Sequence, residues 1–163
     1  MNKILLLEKN ISYINLLIND TAKSLGNINE SYLHKNLNNE GWTLRHFICF
    51  LISLNKMILN LDQCNTKKLN VLSLEKKIRK YIGEEMFKIF SLRKDNLVEI
   101  LQQCPKINDE HVKQIERLQD KIKNFNNEEK IDLYALINIK TKQISDLSKN
   151  LDQINGYLIE EKN

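Results

Sequence analysis

An all-α fold, a largely antiparallel bundle of four to five helices, is what this sequence predicts, and three observations predict it. Glycine and proline are scarce, at Gly 4 and Pro 1 in 163 residues, so the turn residues that many strands would need at regular spacing are missing. Apolar residues recur in steps of three and four along most of the chain. The closing segment repeats in heptads, which predicts a long C-terminal amphipathic helix with coiled-coil character. The length fits one domain over residues 1–163, enough to bury a core without disulfides or metal.

The first helix sets Ile4, Leu7, Ile11, Ile14, Ile18 and Leu25 on one stripe, with Thr21 filling its gap and Gly26 placed to end it. Residues 27–41 are polar and Asn-rich and read as a loop, with a short turn of helix around Tyr32 to Leu37. A second helix is predicted from Leu44 to about Leu61, on the stripe Leu44, Phe47, Ile48, Leu51, Leu54, Ile58 and Leu61. Its start is well specified. Gly41 permits a sharp turn, Trp42 falls at N′, Thr43 at the N-cap and Phe47 at N4, the positions of a hydrophobic staple.

Residues 62–70 read as a connection and Ser73 as the N-cap of a third helix, running through Ile78, Ile82, Met86, Ile89, Leu97 and Leu101 to about Cys104. Pro105 is expected to break it, because proline lacks an amide proton and restricts its predecessor. Asn108 or Asp109 then caps a shorter helix carrying Ile115, Leu118, Ile122 and Phe125, and the NNEEK stretch at 126–130 reads as a kink. In the last segment Leu133, Ile137, Ile144, Leu147, Leu151, Ile154 and Leu158 form the heptad pattern, with Lys140 in the one slot of the wrong type.

Several chemistries lack support. Cys49, Cys64 and Cys104 are odd in number and contain no C-x-x-C pair, so they read as reduced, mostly buried thiols. His34, His46 and His111 sit in three separate segments, without the one-turn spacing of helical metal ligands. Phosphate-cradle and nucleophile-elbow motifs are absent from the sequence. The adjacent acids Glu84–Glu85 and Glu128–Glu129 would point about 100° apart on a helix and so cannot share a site. A net charge of +4 is mild for a dedicated nucleic-acid binder. The N-terminus does not read as a signal peptide and no apolar run spans a membrane, so a cytoplasmic chain is expected.

Two kinds of surface remain as candidates. Protein contacts are assigned to the heptad face (Ile137, Ile144, Leu147, Leu151, Ile154, Leu158) and to the far face of the second helix (Cys49, Ile52). Burial within the bundle is the reading the heptad pattern itself favours, and burial on two sides of a central helix is the one favoured for Cys49 and Ile52. The basic cluster Lys76, Lys77, Arg79 and Lys80 is a candidate for phosphates or acidic lipid, and otherwise a solvated helix face.

The run Gly41-Trp42-Thr43-Leu44-Arg45, opening an apolar helix after a leading helix and a polar loop, resembles the start of the second helix in DinB-like (YfiT-like) four-helix bundles. Lys140-Thr141-Lys142-Gln143-Ile144 looks like that family's closing helix, where a final histidine precedes a Gln-Ile pair. Members often bind a divalent metal through three histidines, and several are thiol-dependent transferases. By this resemblance the metal positions fall on Phe50, Leu136 and Lys140, none of which is an imidazole. It therefore implies a bundle that has lost its metal.

The expectation is a non-catalytic bundle without cofactor, working through protein contacts or self-association as an adaptor, scaffold or regulatory subunit. A small DinB-like enzyme or ligand binder, with its pocket at the inner ends of the second and last helices, is the first alternative. A nucleic-acid-associated factor using the basic cluster is the second.

Overall fold

The computed structural model describes residues 2–61 and 71–162, which form five α-helices and no β-strand. These are α1 (Asn2–Gly26), α2 (Leu44–Lys56), α3 (Val71–Ile89), α4 (Lys94–Lys121) and α5 (Asn127–Lys162). Short 3₁₀ turns at Glu30–His34 and Ile122–Asn124 join α1 to α2 and α4 to α5. The all-α bundle with a long last helix is thus the fold of the described residues.

Side-chain bonds give the layout. Asn15 of α1 meets Asn108 and Asp109 of α4, while Glu8 lies beside Glu116, so α1 and α4 run antiparallel. Asn150 donates to the carbonyl of Phe47 and Gln143 to that of Met57, which makes α2 and α5 antiparallel. Thr21 and Asn155 join the C-terminal ends of α1 and α5. The four helices α1, α4, α2 and α5 enclose one core, and α3 packs outside it on α2 and, more lightly, on α5.

The helix starts follow local chemistry. Thr43 accepts from the His46 amide at 3.4 Å, and the His46 ring accepts from the Thr43 amide at 2.9 Å, a reciprocal capping box with histidine in the place usual for Glu or Gln. Gly41 has φ 82, in the region where only glycine is unstrained. Asn126 caps α5 by accepting from the Glu129 amide at 2.8 Å.

Several boundaries differ from those expected. The second helix stops at Lys56 rather than near Leu61, although Ile58 and Leu61 remain buried. Gln143 captures the chain there, accepting from the Leu59 amide and donating to the Met57 carbonyl, while Lys140 donates to the Leu59 carbonyl at 2.8 Å. These bonds replace the helical ones. The predicted third helix is two, α3 and α4, separated at Phe90–Arg93. Arg45 is buried and donates to the carbonyls of Phe90 and Leu92, and Glu30 accepts from the Lys94 amide at 3.0 Å. Remote groups therefore end one helix and begin the next.

Pro105, expected to break the chain, lies inside α4. Its missing amide and ring clash cost about 3 kcal/mol or more. Leu101, Cys104, Asn108 and His111 are buried on both sides of it, and one continuous buried face offsets that cost. Asn108 is accordingly a core residue rather than a cap. The 126–130 stretch is not a kink, because the chain reverses between α4 and α5 at Phe125–Asn126. Ser73 lies within α3 and so does not cap it; the connection predicted at 62–70, with Cys64, falls outside the described residues.

Both candidate contact surfaces take the buried reading that their patterns favoured, and neither is free for a partner. Ile137, Leu147, Leu151 and Ile154 are wholly buried, and Ile144 and Leu158 nearly so. The heptad face is α5's contribution to the core, already covered by α1 and α2. Cys49 and Ile52 are buried as well, since α3 closes the far side of α2 and brings the Ile89 carbonyl within 3.9 Å of the Cys49 sulfur.

Candidate functional site

A groove of about 500 Å³ opens between α2, α3 and α5. Trp42, Phe50 and Leu54 form one wall, and Ile78, Ile82, Gly83 and Met86 of α3 form the second. Ile139 and Gln143 of α5 complete the floor. Spacings of three and four on α3 bring Glu75, Ile78, Arg79, Ile82 and Met86 to this side of the helix. Glu75 and Arg79 stand on the α3 side and Lys142 and Asp146 on the α5 side. None of these four makes an ion pair within 4.0 Å among the described residues.

The start of α2 fixes the Trp42 wall. The indole lies 5.1 Å from the Phe47 ring and 5.9 Å from Phe50, both edge-on, and stacks on His46 at 5.6 Å. Edge and offset contacts of this kind suit the charge distribution of the rings. The same residues that cap α2 therefore hold one side of the groove in place. Desolvation lowers the His46 pKa from its usual value, which favours the neutral ring that the capping bond needs.

A second polar constellation lies inside the bundle. Lys140 is completely buried, and its ammonium is 2.8 Å from the Leu59 carbonyl and 2.8 Å from Nδ1 of His111. Burial first, and the Lys140 charge second, push the His111 pKa down to about 4, so the ring is neutral at pH 7 and accepts at Nδ1. Nearby, Asn108 donates to Asn15 at 2.9 Å and to Asn55 at 2.8 Å, joining three helices through one amide. The Asn108 oxygen and the Asn55 amide nitrogen have no protein partner. Such groups resist being turned toward apolar neighbours, which favours one helix register over others.

No group of three or more His, Cys, Asp or Glu side chains among the described residues is placed to hold a metal. Burial pushes the Cys49 thiol up to about 11 and that of Cys104 up to about 12, so neither is a thiolate near neutral pH. Of the positions the DinB-like resemblance marks, Phe50 lines the groove while Leu136 and Lys140 are buried on α5. Lys76, Lys77, Arg79 and Lys80 are all exposed on α3.

The groove was only partly visible in the sequence. Trp42 and Phe50 stood out, but Ile139, Lys142, Gln143 and Asp146 join them only through the α2–α5 packing. The α3 stripe was legible as periodicity and silent about what it faced. No family model, curated protein or solved structure matches the chain. Among the described residues, no helix is long and apolar enough to cross a membrane.

Proposed function

We propose that this protein is a non-catalytic binding bundle, and that it takes an amphipathic helix of a protein partner into the groove between α2, α3 and α5. One observation carries the reading: largely apolar walls are flanked on both sides by charges of both signs that have no ion-pair partner among the described residues. A guest helix presents an apolar stripe with charged positions on each edge, which complements such a groove on both walls. Burying three or four apolar side chains would contribute about 1.5–3 kcal/mol each before the costs of association. That corresponds to a reversible adaptor or regulatory contact.

A small apolar ligand is the second reading, favoured by the volume of the groove, which falls within the range of drug-sized sites. The DinB-like kinship belongs to this proposal too. It is supported by the Gly41–Arg45 start of α2 and by the burial of Lys140, one of the metal positions, in the bundle interior.

A photo-crosslinking residue placed at Met86 on the groove, with a control at exposed Gln102 on α4, tests the protein reading in the native host. The expected result is a discrete protein adduct at Met86, mapping to an amphipathic helical segment and missing at Gln102. Equal labelling at both positions, or an adduct with a small molecule alone, would overturn it.

A further inference from the structure

The outward side of α3 is built differently from its groove side. Leu72, Lys76, Arg79, Lys80, Gly83 and Phe87 fall within an arc of about 100° on the helix. The side chains there are presented to solvent. Phe87 is 87% exposed and Leu72 is 72% exposed, far more than a packed helix usually leaves to its large apolar residues. Lys76, Arg79 and Lys80 are exposed between them, with Lys77 about 60° outside the arc, and none has an ion-pair partner among the described residues. No acid falls in the arc, Glu75 and Glu84 each lying about 40° outside one of its edges; Glu85, on the other side, is held by Lys56 at 2.8 Å and Lys88 at 3.3 Å.

We infer that this face of α3 rests on the surface of an anionic phospholipid bilayer. Lysines and an arginine set between a leucine at one end and a phenylalanine at the other match a headgroup layer over acyl chains, with the cations at the phosphates and the apolar tips below them. Arg79 and Gly83 stand at the border between this face and the groove, so the two sites use adjacent sides of one helix. A nucleic acid would accept the cations and could stack on Phe87, but it gives Leu72 no apolar environment. The placement of α3 suits the role. It packs outside the four-helix core with Ile82 its one buried residue, and among the described residues its packing partners are α2 and α5, on its inner side.

Co-sedimentation of the whole chain with vesicles tests the inference, using phosphatidylcholine alone and phosphatidylcholine with 30% phosphatidylserine. Binding to the mixed vesicles is expected at low salt, with little to the neutral ones, and a steep loss as salt rises. Lys76→Gln with Lys80→Gln should lower the partition coefficient roughly 10- to 30-fold, at about fivefold per cation. Phe87→Ser should lower it roughly tenfold at any salt concentration. All three positions are exposed, so unchanged melting accompanies each variant. Equal binding to neutral vesicles, or none at low salt, overturns the inference. So does a result in which single-stranded RNA binds more tightly than vesicles and Phe87→Ser changes nothing.

Discussion

At the scale of single residues, the physics concentrates on His111 and Lys140. The folded ring titrates near 4, against an ordinary value of 6.5, because it is buried and faces an ammonium at 2.8 Å. A histidine whose folded pKa is depressed binds its proton more readily when unfolded. Its contribution to stability is therefore complete above pH 6.5 and is lost as the pH falls toward 4. Chemical unfolding should show the chain about 2 kcal/mol less stable at pH 4.5 than at pH 7 on this account alone. His111→Gln should lack that part of the slope, and an identical slope in both proteins would contradict the assignment. In Lys140→Met the ring loses its cationic neighbour, so its pKa, followed by NMR, should rise from that of the parent. The sequence marked Lys140 as the wrong type for its heptad slot. That its partners would be His111, 29 positions away, and the Leu59 carbonyl, 81 away, depended on the fold.

At the scale of elements, local signals were sufficient where the capping groups were local. Gly41, Thr43 and the Trp42–Phe47 pair specify the start of α2 within seven residues, and the chain obeys them. Where the deciding group came from elsewhere, the pattern misled. The α3–α4 break is held by Arg45 and Glu30, each more than 40 residues from what it binds, and no periodicity across Phe90–Arg93 announces them. Pro105 failed in the opposite sense. Its local cost was legible, but the buried face that overrides it was not. Arg45→Ala should remove two charge-assisted bonds from that break and cost about 2–3 kcal/mol in urea unfolding. Hydrogen exchange at the amides of residues 90–94 should speed up more than exchange in α1. Equal acceleration in both helices would mean that Arg45 acts on the whole core and not on this turn.

At the scale of the whole molecule, the heptads of α5 and the groove beside them answer different questions. The heptad stripe is core, and Leu147→Ala should cost about 2–5 kcal/mol by the cavity it leaves, with no change in solution mass. A mass change with unaltered melting would instead make that stripe an interface. The bundle class was legible from composition and period, because helical cores need little else. The groove was not, since its walls come from three helices and from the loop that precedes α2. Binding there is the central claim, and Trp42, the chain's single tryptophan, lines the groove and reports on it. The direct measurement is Trp42 emission during titration with anilinonaphthalene sulfonate, in the parent and in Met86→Asp. Saturable quenching at one site per chain is predicted, weakened roughly tenfold or more by Met86→Asp while helix content and melting are kept. Probe binding that leaves Trp42 emission unchanged, or that Met86→Asp does not affect, would contradict the account.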